Sequence, residues 1–395
     1  MWVLGQIRLV VMRVVMTVAL RIMAVFVRRD PKLVVFASFT GQNYSDSPRY
    51  IYEYLHEHAD FQDYHFVWAF KHLQPVIGAC EVVRFNSWRY FYLLTKAKYW
   101  VFNAKSAPYL HKAKDQVYLQ TWHGTPLKHL AHDLTDDGKH YYRSRQSYDQ
   151  MTRGYDRDSR HWDYLVSPNP FSSKAFASAF AYPQNQMLET GYPRVDRLVD
   201  PDAQHVAKLK QEHGLPLDKQ IILYAPTWRD DSFSATGYTF KLQVDFHQWR
   251  EVLGDDYVVL FKPHYLIANA YSVPADLADF VYPMAASADI NDTYLMSDVL
   301  VTDYSSVFFD YAILQRPIYF YMYDFEQYQD NLRGFYLRVP EDLPNDITQD
   351  EGKLLTMIKQ RDFDDARLAQ FNQRFNPWSD GHSAEKVVRR VFNEG

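Results

Sequence analysis

Four short motifs in this 395-residue sequence each follow an apolar run and carry groups suited to proton or phosphate chemistry. In Val299–Leu314, the apolar and β-branched residues Val299 to Thr302 read as a buried strand and Asp303 and Tyr304 as a turn. Ser305 and Ser306 then stand where a helix should begin, with hydroxyls and free backbone N–H groups that suit a phosphate. Asp310 falls one turn later, placed to take the two hydroxyls of a ribose. The plainer alternative is that a serine only caps the helix and Asp310 is solvated. In Gln120–Lys128, His123 follows another strand. Gly124 permits an unusual backbone angle, and Thr125 with Pro126 reads as a helix cap and first helical residue. An imidazole there suits general-base work, with a structural histidine as the alternative. Arg229 ends Tyr224–Arg229, and Lys262 and His264 sit in Phe261–His264. These three can neutralise a diphosphate or assist a departing phosphate, unless Arg229 only pairs with Asp230 or Asp231.

The elements that must hold these groups alternate between strand and helix from Pro31 onward. Strands are expected at Lys32–Phe39, Tyr64–Phe70, Glu81–Phe85, Tyr99–Asn103, Gln116–Gln120 and Asp163–Val166. Helices are expected at Arg49–His58, after Ser87 and at Ser172–Phe180, with a polar loop at Thr40–Pro48. After a junction near Gly191–Ala203 the alternation restarts, with strands at Gln220–Ala225, Tyr257–Phe261, Val299–Thr302 and Ile318–Tyr321. The pattern predicts an α/β chain of two doubly wound, mostly parallel sheets facing a cleft, with ligands at the carboxyl ends of strands.

Length allows two ordinary domains. The net charge of −5 gives no reason to propose nucleic acid binding. Cys80 is the one cysteine, so no internal disulfide forms and a reducing compartment suits the chain. There is no His-Glu-x-x-His, no Cys/His pair spacing, no dinucleotide fingerprint and no P-loop, so neither a metal nor a cofactor is expected. His129 and His132 lie three apart on an expected helix without an evident third ligand. Trp2–Val27 is apolar, lacks acidic residues and is interrupted by Arg8, Arg13 and Arg21. It is too broken for a bilayer span, and Gln6, Arg13, Thr17, Arg21 and Arg28 gather on one side of a helical wheel. It reads as an amphipathic helix lying in a membrane interface, with a core or dimer helix as the alternative.

Together the motifs resemble the CDP-glycerol glycerophosphotransferases of wall teichoic acid synthesis. The matching pieces are Tyr44 to Pro48, Gln120 to Lys128, Ser167 to Asn169, Gly191 to Arg194, Ala225 to Arg229, Phe261 to His264, Asp289 to Ser306 and Asp380 to Ser383. The resemblance implies a GT-B-like fold of two Rossmann-like domains. The expected division is an N-terminal membrane helix (1–30), an acceptor domain (31–195) and a CDP-glycerol domain with a C-terminal helix (196–395). It implies His123 as catalytic base and His264 as a phosphate-handling or leaving-group residue. Arg229, Ser305 and Ser306 are then expected near the diphosphate and Asp310 near the ribose. Asp46, Gly124, Thr125, Lys262, Thr302 and Asp303 complete the expected substrate contacts, with Asp46 the next candidate base. Ser47 and Val195 depart from the family, which often has Asn at both positions. The implied reaction transfers glycerol phosphate from CDP-glycerol to an undecaprenyl-diphosphate-linked saccharide, releasing CMP at the cytoplasmic face of the cell membrane. Two rivals are a CDP-ribitol enzyme and a sugar-nucleotide glycosyltransferase or epimerase, and a scaffold with a dead cleft is the non-enzyme rival. Primase or short-chain extender, oligomeric state (a homo-oligomer included) and help from a divalent cation are left open.

Overall fold

The structure, a computed structural model, describes residues 2–136, 146–227, 233–234, 237–238, 242–263, 272–285, 288–327 and 334–392. The chain forms two compact units. The first comprises residues 1–123, 131–196 and 382–395, and the second residues 124–130 and 197–381.

The first unit is built on seven parallel strands: β1 (Asp30–Ala37), β2 (His65–Phe70), β3 (Glu81–Arg84), β4 (Ala97–Phe102), β5 (Val117–Gln120), β6 (Tyr164–Ser167) and β7 (Met187–Glu189). Their order is β3-β2-β1-β4-β5-β6-β7, so the winding reverses between β1 and β4. Continuous apolar runs such as Leu33 to Phe36 are wholly buried, as a parallel sheet covered on both faces requires. Local signals set the helix starts. Ser87 accepts from the Tyr90 N–H ahead of helix Trp88–Lys96. Asn169 accepts from Ser172 N–H, with Pro170 at the first helical position of Pro170–Ala179.

The second unit carries six parallel strands in the order β12-β11-β8-β13-β14-β15. These are β8 (Gln220–Ala225), β11 (Tyr257–Phe261), β12 (Val281–Pro283), β13 (Val299–Thr302), β14 (Ile318–Tyr321) and β15 (Ile347–Thr348), while β9 (Phe233–Ser234) and β10 (Gly237–Tyr238) form a small antiparallel ribbon. Winding reverses between β8 and β13.

Most expected strands are found within two residues of their predicted ends. Strands β7, β12 and β15 and the β9–β10 ribbon, not foreseen, have two or three residues each. The helix expected from Arg49 begins at Asp46. The helix expected after Thr125 does not form. The segment is extended and pairs inside the second unit, with Tyr336 N–H on the Leu127 carbonyl at 2.9 Å and His129 N–H on the Gly334 carbonyl at 3.1 Å. His129 and His132 are therefore not on one helix: His132 lies in a single 3₁₀ turn, Ala131–Asp133.

The C-terminal helix, Ser383–Phe392, belongs to the first unit and not to the second. Asp196 caps it, accepting from Ser383 N–H at 3.0 Å and Ala384 N–H at 2.8 Å. Its Phe392 ring packs 4.4 Å from that of Tyr99. At the other end of the chain, Trp2–Phe26 is one helix that packs against Trp88–Lys96. It leaves Val10, Val11, Val14, Val15, Val18 and Ile22 about half exposed. Among the described residues no helix is long and apolar enough to cross a membrane.

Candidate active site

His123 lies three residues beyond the carboxyl end of β5, and its imidazole has a fixed tautomer. Its Nδ1 is 2.7 Å from the carbonyl oxygen of Asn103, just past β4. A carbonyl only accepts, so Nδ1 carries the proton and Nε2 the lone pair. The Trp122 ring stacks on the imidazole at 4.5 Å and the Phe39 ring meets it edge-on at 5.7 Å. The residue remains exposed to solvent. Even so, desolvation by the protein around the ring is the main influence on its pKa and pulls it below the usual imidazole value. The bond to Asn103 and the negative charge of Asp46 oppose that shift, and the Arg194 charge adds to it.

Behind the histidine is a buried polar network. Asp46 Oδ2 accepts from the Asn103 side-chain amide at 2.7 Å, while Oδ1 accepts from Ser47 N–H at 2.6 Å and Arg194 Nη1 at 3.2 Å. Asn103 Oδ1 in turn accepts from Phe39 N–H at 2.6 Å. Asp46 and Arg194 are each 6% exposed, so this ion pair is shielded from water and salt. Phe39, Thr40, Asp46 and Trp122 all hold positive φ, between 48° and 61°, which costs a non-glycine residue energy. Two of them, Phe39 and Trp122, are the residues whose rings touch the imidazole. Asp46 was expected at the substrate. Its carboxylate faces Ser47 N–H, the Asn103 side-chain amide and Arg194.

In the second unit Thr302, Asp303, Ser305 and Ser306 lie at or just past the carboxyl end of β13, beside that of β8 where the winding reverses, and Lys262 follows β11. Thr302 donates its hydroxyl to the Ala225 carbonyl at 2.8 Å, and Asp303 Oδ1 accepts from Thr227 N–H at 2.8 Å. Both are buried and tie the two strand ends together. Ser305 and Ser306 are half-buried, and neither hydroxyl has a hydrogen-bond partner among the described residues. Ser306 precedes the five-residue helix Val307–Tyr311 without a side-chain capping bond, which removes the capping alternative. Asp310 is 5% exposed, not a solvated surface residue. Lys262 donates to the carbonyls of Ala285 at 2.6 Å and Ala288 at 3.2 Å. Burial lowers its pKa to about 8, with Asp289 opposing. Gly124 and Thr125 are buried in the segment assigned to the second unit, so the chain passes between units directly after His123. Arg229 and His264 lie outside the described residues. Among the described residues no three His, Cys, Asp or Glu side chains cluster in a way that would hold a metal ion.

Residues 19–393 match the family model described as CDP-Glycerol:Poly(glycerophosphate) glycerophosphotransferase. The chain belongs to this family. It is 40% identical to the teichoic acid glycerol-phosphate transferase of Staphylococcus aureus, covering 92% of this chain and 93% of that protein. It is 43% identical to the teichoic acid poly(glycerol phosphate) polymerase of Staphylococcus epidermidis over 84% of this chain, but spans only 46% of that relative's length. Structures of the wall teichoic acid polymerase TagF, and of a variant of it soaked with CDPG, each match with a TM-score of 0.88 at 36% identity. Both matches cover 99% of this chain and 98% of the other.

Sequence reasoning on this glycerophosphotransferase-family chain missed Asn103 and the role of Arg194. Asn103 carried a usable signal, a polar residue just past a predicted strand end. Arg194 carried only its place in the Gly191–Arg194 motif.

Proposed function

We propose that the protein transfers glycerol phosphate from CDP-glycerol to a hydroxyl on an undecaprenyl-diphosphate-linked teichoic acid precursor, at a membrane surface, with release of CMP. His123 Nε2 takes the proton from the attacking acceptor hydroxyl. That oxygen bonds to the β-phosphorus as the bond from the β-phosphorus to the bridging oxygen breaks, and CMP departs with the electron pair. Ser305 and Ser306 donate to the diphosphate and Asp310 accepts from the ribose hydroxyls. Arg229, Lys262 and His264 offset the charge that develops on the transferring and leaving groups. The apolar, arginine-bearing helix Trp2–Phe26 lies in the membrane interface at the cytoplasmic face. The two units act as the halves of a GT-B-type enzyme.

The observation that carries this reading is the imidazole of His123, fixed in one tautomer by the Asn103 carbonyl with Nε2 left as the base. The test is incubation with CDP-glycerol and a short-chain lipid-diphosphate disaccharide. Release of CMP and a product heavier by one or more glycerol phosphates is expected. Release of a nucleoside diphosphate, or turnover only with CDP-ribitol, overturns it.

A further inference from the structure

His123 stands where two differently anchored pieces of chain meet. On its N-terminal side Thr121 N–H donates to the Phe102 carbonyl at 2.8 Å and Trp122 N–H to Gln120 Oε1 at 3.0 Å, all within the first unit. On its C-terminal side residues 124–130 belong to the second unit. Gly124, Thr125, Pro126 and Leu127 are all buried, and the ring of Pro126 fixes one of the backbone angles. Four residues reach at most about 14 Å, so a short packed link joins His123 to the Leu127 carbonyl. Closely packed chain transmits a displacement instead of absorbing it.

One loop of the second unit holds that link. Tyr336 N–H donates to the Leu127 carbonyl and His129 N–H to the Gly334 carbonyl, around the antiparallel pair of Lys128 and Phe335. Such backbone bonds do not depend on residue type, but the side chains add contacts that do. Tyr336 Oη accepts from Leu130 N–H at 3.2 Å, and its ring meets that of His129 edge-on at 4.6 Å. Gly334, at φ 70°, comes so close that a Cβ there would lie 2.8 Å from His129 Nδ1. The Phe335 ring stacks at 6.2 Å on that of Tyr304, which is 1% exposed and donates its hydroxyl to Asp324 at 3.1 Å. Tyr304 directly precedes Ser305 and Ser306, the hydroxyls read as diphosphate contacts. The loop at 334–336 therefore touches both the link to the base and the donor turn.

We propose that Tyr336 and Phe335 are positioning residues for the transfer, Tyr336 setting His123 through the buried link and Phe335 setting the Ser305–Ser306 turn through Tyr304. The proposal rests on the reading of His123 as the acceptor's base.

The test follows CMP release by the full-length chain from CDP-glycerol and a short-chain lipid-diphosphate disaccharide. Tyr336→Ala lowers kcat by about 10- to 100-fold, the scale of a reacting group displaced by up to about 1 Å, while calorimetric affinity for CDP-glycerol stays within about twofold. Tyr336→Phe keeps the ring, loses only the bond to Leu130 and recovers most of the rate. In the His123→Ala background the same Tyr336→Ala change costs less than about twofold, because the group it positions is gone. Phe335→Ala weakens CDP-glycerol binding as well as lowering kcat, by about three- to tenfold, the scale of a lost aromatic pair, and Phe335→Tyr does neither. NMR of histidine-labelled protein reads the link without turnover: the His123 ring nitrogens, identified by their loss in His123→Ala, shift in Tyr336→Ala and return in Tyr336→Phe. Gly334→Ala, which crowds His129, gives the same shift and stands in should Tyr336→Ala fail to fold. Equal costs of Tyr336→Ala with and without His123, or an unmoved His123 signal, overturn the role of Tyr336. Unchanged donor affinity in folded Phe335→Ala overturns that of Phe335. A shifted His123 signal in Tyr336→Ala, from a protein whose His123→Ala variant keeps near-normal kcat, upholds the link and overturns the reading of His123 as base instead.

Discussion

Replacing Asp46 by Asn tests whether the network behind His123 is a true buried ion pair. Asparagine tolerates the left-handed backbone that Asp46 adopts at φ 61°, so the substitution removes charge without adding strain. Both carboxylate oxygens are engaged, one by Ser47 and Arg194 and the other by Asn103. An amide must turn its NH₂ toward one of those donors, and either way a donor faces a donor. Arg194 meanwhile loses the charge opposite it while 6% exposed. Removing one partner of a buried pair costs about 3–5 kcal/mol. For bodies of roughly 150–250 residues each kcal/mol lowers Tm by about 2–4 °C, so the first unit's transition should fall by roughly 6–20 °C. Calorimetry should show that fall with the second unit's transition in place. In a cycle with Arg194→Met, the second substitution should cost much less in the Asp46→Asn background than alone. Turnover at 25 °C should drop as well, because the Asn103 side chain is no longer braced. The acid limb of the pH–rate profile should move to lower pH, since the Asp46 charge supports protonation of His123. A fall in Tm under about 2 °C, or strictly additive costs, would refute the ion-pair argument.

Five further outcomes are expected. His123→Ala should lower kcat by about 10²–10⁴-fold with little change in calorimetric affinity for CDP-glycerol. In wild type, turnover needs the neutral imidazole, so the rate should fall on acidification through a pKa below the ordinary histidine value and be level at neutral pH. Asp310→Ala should weaken CDP-glycerol binding by roughly 1–3 kcal/mol in titration calorimetry; its burial calls for a circular-dichroism check of folding, and wild-type affinity in a folded variant removes it from the site. Asp158 has a folded pKa near 6, above the ordinary 3.8, so the folded state takes up a proton first and stability from this group rises as pH falls from about 6 toward 4. Urea unfolding free energies for Asp158→Asn at pH 4.5 and 7.5 should lack that component, which between these two pH values is on the order of 2 kcal/mol. Deleting residues 2–27 should release the protein from anionic vesicles in a flotation assay while leaving CDP-glycerol affinity intact.

What the sequence disclosed follows from where the determining interactions lie. Strand β13 was legible because Val299 to Thr302 is an unbroken apolar and β-branched run, buried throughout. Helix Pro170–Ala179 was expected only from Ser172, because the adjacent cap Asn169 and first-turn Pro170 were not read as its start. Strands β7 and β15 were not legible, because two or three residues carry too little pattern to outweigh their surroundings. The helix read after Thr125 failed for a tertiary reason, since the backbone of Leu127 and His129 pairs with residues more than two hundred positions away. The candidate base was visible from His123 and Gly124, but its support was not. Asp46 meets Asn103 at a separation of 57 residues and Arg194 at 148, and no local spacing announces either contact.

The cap that Asp196 places on helix Ser383–Phe392 spans 187 residues of chain. At about 5–20 residues per second on a ribosome, roughly 10–40 s pass between the emergence of its two halves. During that interval residues 197–381, all of the second unit except its 124–130 segment, are synthesised and the unit can begin to fold. The first unit, begun earlier, meanwhile exposes the aromatic seat of Phe61, Tyr64 and Tyr99 that Phe392 later covers. The nascent protein thus completes its second body before it can close its first.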